Sequence, residues 1–528
     1  MPRFSVLFLA VLFLMMPGCV SDGTPVPAAS SPSSRPASSA NRFWSSDSLT
    51  VPSDSELIEQ IAAALDFRLR EDFDRSLDAR DPGELLEHAT LLQIAVDRET
   101  FEGDALFVVG DELFDYEFRP EQGLGNALGG RVLARAGSHQ APNLRRVHQG
   151  EFGGPDSHSC STCHFKGGPD GAGNNTQNAF LRGDGQSTLT ADERNPPHLL
   201  GLGPIAALAR EMTADLNAQR KEAVEAASKG VRPAEVVLES KGVRFGTLKA
   251  HPGGKVDTGG VEGVDPDLVV KPFGWKGHQA TLRGMVEESF RIHLGIVSVH
   301  DQQRVRDGKT ERTLYGDGKW YDIDRDGSTI ELDEGMLTTM VAYLVQLEVP
   351  VIRPPQPESL LESFARGRLL FDEVGCSNCH RPLLELKNAV FEVRPRGSQL
   401  ADRTPIRINV AHDGDQPKIE PRHALGTTFN VPLFSDLRRH DMGSELATPS
   451  EQNGIATSVF LTRPLWGLAF TSPYLHDGRA PTVDDAIRLH GGEGTAARDR
   501  YLELGDEGRA ALEVFLLSLD REPELFVP

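Results

Sequence analysis

The cysteines constrain this chain more than any other feature. Four of the five cysteines fall into two segments of the pattern CxxCH, which we call the first frame (160–164) and the second frame (376–380). In such a frame both thiols can bond to the vinyl groups of a haem, and the adjacent histidine can bind the iron. One CxxC would equally fit a redox disulfide or half of a zinc site, but two copies followed by histidine favour covalent haem c. The predicted haem attachment and proximal iron-binding residues are Cys160, Cys163, His164, Cys376, Cys379 and His380.

The fifth cysteine lies at the end of an apolar N-terminal segment. A basic residue, an apolar run over 4–16 and Gly18 precede Cys19, which is the pattern of a lipoprotein signal peptide over 1–19. The alternative is a transmembrane helix, but the apolar run is too short to span a bilayer. Residues 20–50 are rich in Ser, Pro and Ala and predict a disordered tether. We therefore expect a bacterial periplasmic protein held by a lipid on Cys19, with the outer membrane favoured over the inner membrane.

The charge limits the partners of the chain. The formal net charge of -22 over 528 residues argues against binding to nucleic acid and against a basic membrane-binding patch. It is compatible with docking of a basic electron donor, although an acidic surface often serves solubility alone. The length allows two or three domains, each with its own core.

The order of elements repeats along the chain. Each half contains a helix that leads into a frame, a proline-containing Gly-Leu segment (195–203 and 463–468) and an apolar helix that ends near His-Gly. This duplication predicts a mainly α fold, with two tandem cytochrome c-like haem domains and an N-terminal helical extension. The predicted boundaries are 51–104 for the extension, 105–350 for the first haem domain and 351–528 for the second.

A run of acidic residues near the end of the first half resembles a calcium-binding loop. Its oxygen ligands would come from Asp322, Asp324, Asp326 and Asp333. The twelfth position of such a loop normally holds Glu, and here it holds Asp333. The alternative is an acidic surface turn without a metal.

Three further motifs resemble those of a known family. They are FGWK at 273–276, HDMG at 440–443, and the long segment 463–490, which is the most specific of the three. With the two frames, they make the chain resemble the bacterial di-haem cytochrome c peroxidase and MauG superfamily, in its di-haem oxidoreductase or thiol oxidoreductase branch. The resemblance runs from about Gly110 to the C-terminus.

The resemblance implies roles for both haems. The haem of His164 would be the reactive one, and the haem of His380 would store or relay an electron. Trp275 matches a tryptophan that lies between the haems and conducts charge, although an ordinary core aromatic residue is the alternative. Relatives have a methionine or tyrosine as the second ligand of the C-terminal haem, whereas the matching residue here is His490. Met442 is the competing iron ligand.

The reactive site also departs from the family pattern. Relatives with peroxidase activity have a glutamate and a glutamine near the reactive haem, and the matching positions hold His293 and Met285. We expect His293 to act as the acid/base group, because a neutral imidazole can accept and return a proton near neutral pH. The alternatives are that His293 binds the iron or is a surface residue. The fallback acids are Glu211, Glu287 and Glu288.

An inter-haem calcium site of the family is only partly kept. Its counterparts Thr471 and Pro473 are present, whereas the position of a calcium-binding asparagine holds Gly201. The resemblance implies reduction of hydrogen peroxide, or another small oxidant, with electrons from a small cytochrome c or cupredoxin. Two alternatives stay open: MauG-like oxidation of a protein or small molecule, and electron transfer without catalysis.

Overall fold

The computed structural model of the chain describes residues 103–125, 156–184, 187–309, 320, 322–323, 328–329, 331–396, 405–423 and 426–522. Cys19, the extension 51–102, Asp324 and Asp326 lie outside these residues, so the predictions for them stay predictions. The described residues belong to one compact unit. Within them no helix combines the length and the apolar character needed to cross a membrane.

The α-helices of the described residues range from one and a half turns to seven turns. They are α1 Gly103–Asp115, α2 Leu202–Ser228, α3 Leu282–Ser289, α4 Val299–Arg306, α5 Glu334–Val345, α6 Leu361–Val374, α7 Val483–Arg488, α8 Thr495–Glu503 and α9 Asp506–Leu516. A π-helical turn, Phe290–Leu294, continues α3. Short 3-10 turns occur at Pro120–Gln122, Asn175–Gln177, Thr188–Thr190, Glu358–Leu360, Cys376–Asn378, Ser444–Leu446, Leu468–Phe470 and Gly492–Gly494.

The expected mainly α fold is wrong, because many short strands accompany the helices. The strands are β1 Ala179–Leu181, β2 Asp192–Arg194, β3 Ala234–Ser240, β4 Val243–Ala250, β5 Val256–Val261, β6 Val351–Ile352, β7 Leu384–Leu386, β8 Val390–Val393, β9 Ile406–Asn409, β10 Glu420–Pro421, β11 Phe429–Val431, β12 Arg439–Asp441, β13 Val459–Leu461 and β14 Leu519–Asp520. They form small antiparallel sheets of two or three strands, in the orders β1-β2, β3-β4-β5, β10-β11-β7, β8-β9, β12-β13 and β14-β6.

The β3–β4–β5 sheet shows why the helical expectation failed. Ser240 pairs with Val243, so Lys241 and Gly242 form a two-residue hairpin turn, and both have positive φ angles of 52° and 75°. Residues before and after this turn alternate between buried and exposed side chains, which is the period of a strand. The helical expectation rested on the two frames and on the apolar helices, and neither feature reports on residues 234–261.

Two helix pairs carry the frames, and each pair is closely packed at a glycine. In the first pair, a Cβ on Gly110 of α1 would lie 2.3 Å from the Cβ of Tyr343 in α5. In the second pair, a Cβ on Gly367 of α6 would meet the carbonyl oxygen of Ala511 in α9. Helices can approach this closely only where one of them lacks a side chain. The same construction therefore supports both frames, because α1 packs beneath the first and α6 leads directly into the second.

The core around the second frame is built from aromatic rings. Phe371 of α6, Phe434 and Phe515 of α9 are buried, and their ring centres lie 5.5 to 6.0 Å apart. Tilted and edge-to-face rings at such distances are favourable and hold neighbouring elements in fixed orientations. This cluster places the C-terminal end of α6, and with it Cys376, against α9.

Candidate haem sites

Both frames adopt the same local turn. In each frame the second cysteine and the histidine donate their backbone N–H groups to the carbonyl of the first cysteine. The N···O distances are 3.1 and 3.2 Å in the first frame and 3.3 and 2.9 Å in the second. Gly375, with φ of 93°, ends α6 and turns the chain into the second frame. The turn gathers two thiols and one imidazole, the groups that haem attachment requires.

The frame histidines are held in an orientation that suits iron binding. The Nδ1 atom of His164 lies 3.3 Å from the carbonyl oxygen of Gly171, and that of His380 lies 3.1 Å from the carbonyl oxygen of Phe434. A carbonyl can only accept, so Nδ1 carries the proton and Nε2 is left as the metal-binding atom. Burial lowers the pKa of both histidines to about 4, which keeps them in the neutral form that binds metals.

A cavity of about 320 Å³ opens beside the second frame. Cys376, Cys379 and His380 lie along it, and apolar side chains from α6, α7 and α9 form much of its wall. A cavity of this size and lining, with two thiols and a neutral imidazole at one side, fits a haem.

Both candidates for the second iron ligand of this haem line the same cavity. His490 directs its Nδ1 to the carbonyl oxygen of Ala486 at 2.8 Å, which leaves Nε2 for a metal. The pKa of His380 is lowered first by burial and next by the nearby charge of His490. Met442 also borders the cavity, and both side chains approach Gly494. The geometry brings the two predicted ligands together without choosing between them.

Trp275 lies in the wall of the same cavity. Its indole N–H donates to the carbonyl oxygen of Asn195 at 2.9 Å, and the guanidinium of Arg463 lies 5.1 Å from its ring centre. Asn195 starts a short segment that also contains Pro197 and His198. The backbone of Pro197 is hydrogen-bonded to His164. The Nε2 atom of His198 lies 3.1 Å from the carbonyl oxygen of Trp466, and His198 lines the cavity. Residues 195–198 therefore contact both sites, and Trp275 is hydrogen-bonded to this segment.

His293 lies beside the residues that precede the first frame. Its Nδ1 is 3.0 Å from a carboxylate oxygen of Asp156, which is the residue four positions before Cys160. The backbone N–H of Asp156 also donates to the carbonyl oxygen of His293 at 2.7 Å. The charge of His293 contributes to lowering the pKa of His164, after the larger effect of burial. The π-helical turn thus brings an imidazole, hydrogen-bonded to a carboxylate, close to the first frame.

Glu211 lies elsewhere. One carboxylate oxygen is 2.5 Å from the Nζ atom of Lys241, and the carboxylate accepts the backbone N–H groups of Lys387 and Asn388. These contacts join α2 to the β3–β4 turn and to the chain after β7. The geometry gives Glu211 a structural role and brings it to neither frame.

Other side chains occupy the position of the inter-haem calcium site that the family resemblance implies. A Cβ on Gly201 would lie 2.3 Å from the indole of Trp466, so this ring fills the space that a calcium-binding side chain would need. The ammonium of Lys166 donates to the carbonyl oxygen and the hydroxyl of Ser472, between Thr471 and Pro473. The residues present therefore do not fit a calcium ion at this position.

The acidic run at 322–333 is only partly described. Asp333 caps the N-terminus of α5, and its carboxylate accepts the backbone N–H of Met336 at 2.8 Å. This contact supplies a structural reason for an acidic residue at position 333. Calcium in this loop stays a prediction.

Two buried polar groups near the frames were missed by the sequence analysis. The first is His440, whose ring nitrogens lie 2.9 Å from Asp436 and 2.7 Å from Glu493. Burial opposes its charge, but the hydrogen bonds to Asp436 and Cys379 outweigh burial and raise the pKa of His440 to about 11. The HDMG motif drew attention to this segment, but no sequence signal connects 440 with 436 and 493.

The second missed group is Asp170, which follows the first frame and accepts the hydroxyl of Tyr343 at 2.8 Å. Burial raises the pKa of Asp170 to about 7, although the bond from Tyr343 acts in the opposite direction. This pair fixes the loop that carries Gly171, the partner of His164, to helix α5. Sequence offered no signal for a contact across 173 positions.

A comparison with known protein families supports haem binding at the second frame. Residues 408–519 match the family described as “Di-haem oxidoreductase, putative peroxidase”. The match includes His440, Met442, Arg463 and His490, and it confirms the predicted resemblance to the di-haem peroxidase and MauG branch. No curated protein sequence matches the chain significantly.

Solved structures show weaker likenesses. One is a MauG-like protein associated with microbial copper homeostasis, with 15% identity and a TM-score of 0.26, covering 51% of this chain and 77% of that one. Another is hydrazine synthase of Kuenenia stuttgartiensis, with 18% identity and a TM-score of 0.21, covering 35% of this chain. The chain spans 56% of the length of that hydrazine synthase chain. At these TM-scores neither structure supports an argument about function.

Proposed function

Because residues 408–519 carry the signature of the di-haem oxidoreductase family, we propose that this chain binds two covalent haems and reduces hydrogen peroxide. Reduction of one peroxide to two waters consumes two electrons and two protons. The electrons would come from a small cytochrome c or cupredoxin. With a lipid on Cys19, the protein would act at a bacterial membrane on the periplasmic side.

One observation carries the proposal: the two sites differ in what faces the frame histidine. The first site has an imidazole paired with a carboxylate, His293 with Asp156, next to His164. The second site has two candidate iron ligands, His490 and Met442, in one cavity with His380. A proton carrier suits a site that binds a substrate, whereas a second iron ligand closes a site and suits electron relay.

The haem of the first frame would supply peroxide binding and electron exchange. The chain supplies the proton transfers. His293 accepts a proton from bound peroxide and returns it to the departing oxygen, which leaves as water and not as the less stable hydroxide. Asp156 accepts a hydrogen bond from the Nδ1–H group of His293, so it holds the ring and leaves the lone pair of Nε2 for the substrate proton. The side chain of His293 is 36% exposed, so its proton can be replaced from solvent.

The second site would hold the other electron. His380 and His490 as paired ligands would favour the ferric form more than a methionine ligand does. Trp275 would shorten the electron path between the sites, and its hydrogen bond to the segment that contacts both sites supports this role. The acidic surface of the chain, with net charge -22, would attract a basic donor protein.

Spectra of the purified full-length protein test the proposal. Two haems per chain that survive acid acetone extraction, with one high-spin and one low-spin iron, are the expected result. Addition of hydrogen peroxide should change the high-spin signal, and a reduced donor should then be oxidised at a rate that depends on peroxide. Two low-spin haems without a peroxide response would instead identify an electron-transfer protein.

The same experiment separates the other alternative. A peroxide-reactive protein that oxidises no small donor protein, but modifies tyrosine or tryptophan in a substrate protein, would support MauG-like chemistry. Cys160→Ala with Cys163→Ala is the control for haem assignment, because it removes both thiols of the first frame and should leave the low-spin signal of the second site.

A further inference from the structure

We infer that Arg463 binds a propionate of the haem in the cavity beside the second frame and thereby raises the reduction potential of that haem. The inference rests on the second haem of the proposed function, and it assigns a role to a residue that the proposed reaction does not otherwise use.

The position of Arg463 is fixed by the backbone on both sides. The N–H of Thr462 donates to the carbonyl of Arg438 at 2.8 Å, and the N–H of Leu465 donates to that of Leu433 at 3.1 Å. The Arg463 side chain then runs along the cavity wall, where its guanidinium stacks on Trp275. The cation therefore lies over the indole in the wall of the cavity.

The guanidinium has no anionic partner in the described part of the chain. No hydrogen bond or ion pair joins it to another described residue, and its contact with Trp275 is a cation–π contact. Burial lowers the pKa of Arg463 to about 10, so it is still charged at neutral pH.

Among the described residues, two buried arginines have ion pairs, and a third, Arg194, donates to the carbonyl of Glu193 and to the side chain of Gln452. Arg283 binds Glu334 at 2.7 Å, and Arg521 binds Glu348 at 2.5 Å. Two further arginines that line the same cavity also have partners among the described residues. They are Arg498, which binds Asp499, and Arg500, which donates to the carbonyl of Val374.

The side chain of Arg463 is partly buried and lines the cavity. A cation in such a position is unfavourable without a counter-ion. A haem brings two propionate carboxylates, which are the planar acceptors that a guanidinium binds best. A propionate bound to Arg463 would supply the missing counter-ion. It would also connect the edge of the haem, through the guanidinium, to Trp275. Reduction adds an electron to the haem, so a nearby cation stabilises the reduced form and raises the potential.

Redox titration of the holoprotein tests the inference. We compare the wild type with Arg463→Gln, Arg463→Lys and a matched control, Arg368→Gln, which removes one guanidinium from the exposed face of α6 where it pairs with Asp372. Haem content is measured first for each protein. The expected result is a lower midpoint potential of the low-spin haem in Arg463→Gln, a smaller decrease in Arg463→Lys, and no change in Arg368→Gln.

An unchanged midpoint in Arg463→Gln with both haems present would overturn the inference. A second result would also overturn it: a midpoint potential that changes with chloride concentration in the wild type but not in Arg463→Gln. The partner of Arg463 would then be a small anion. If Arg463→Gln fails to load haem, resonance Raman spectra of Arg463→Lys decide. A shifted propionate bending band relative to the wild type supports the contact, and an identical band refutes it. Absence of peroxide activity in the wild type would refute the proposed function and not this inference, because the redox titration needs no turnover.

Discussion

Removal of the imidazole at 293 gives the sharpest test of the reactive site. We expect His293→Ala to lower kcat/KM for hydrogen peroxide by about 10²- to 10⁴-fold, the usual contribution of a positioned acid/base group. This loss corresponds to about 3 to 5 kcal/mol of transition-state stabilisation at about 1.4 kcal/mol per tenfold. The spin state of the resting haem should not change, because the proposed role involves no bond to iron.

Asp156→Asn should cause a smaller loss. The contact between His293 and Asp156 is a hydrogen bond of 3.0 Å to a charged acceptor. Such bonds contribute about 1.5 to 3 kcal/mol, and the 36% exposure of His293 places this one at the lower end. We therefore expect about a tenfold decrease in kcat/KM.

The surface pair of His412 and Asp413 provides the matched control. It has the same Nδ1 to carboxylate distance of 3.0 Å, but the side chain of His412 is 84% exposed. His412→Ala should leave peroxide kinetics unchanged. The assay is stopped-flow absorbance of donor oxidation at varied peroxide, with EPR of the resting enzymes.

Two outcomes would refute the acid/base role. Wild-type kinetics in His293→Ala would show that the residue is a bystander. Conversion of a low-spin haem to high spin in the same variant would show that His293 is an iron ligand. Such a ligand would occupy the position on iron that peroxide needs.

Two further predictions concern the other site and the loop behind the first frame. His490→Ala should convert the second haem from low spin to high spin, whereas a methionine-to-iron charge-transfer band in the oxidised wild type would assign Met442 instead. Asp170 has a pKa raised to about 7 from its ordinary 3.8, so its contribution to stability is complete below about pH 4 and is lost as the pH rises through about 7. Urea unfolding of the holoprotein should show this decrease, of up to about 4 kcal/mol, in the wild type and not in Asp170→Asn, and equal pH dependence in both proteins would refute it.

The haem-binding pattern could be recognised in the sequence because its signal is local. Two thiols and an imidazole within five residues are brought together by a single turn, whatever the rest of the chain does. The role of His293 came from the resemblance to a family and stays a prediction, although the residue lies near the first frame.

The fold class could not be predicted in the same way. The strands are short, mostly of two to four residues, and a helical period elsewhere in the chain carries no information about them. The β3–β4–β5 sheet alternates buried and exposed side chains, yet its turn residues, Lys241 and Gly242, are common in many other contexts. Short strands are stabilised by their partners in the sheet, so their sequences specify them weakly.

The sequence by itself determined the two CxxCH frames and the resemblance to the family that residues 408–519 match. Tertiary structure alone decided which distant groups meet: Asp156 with His293, Asp170 with Tyr343, and Arg463 with Trp275. These pairs are separated by 137, 173 and 188 positions, as their residue numbers show. The physical reason is that a covalent attachment motif needs only neighbouring residues, whereas the charge and proton control of a buried site depends on contacts that form only when the core closes around it.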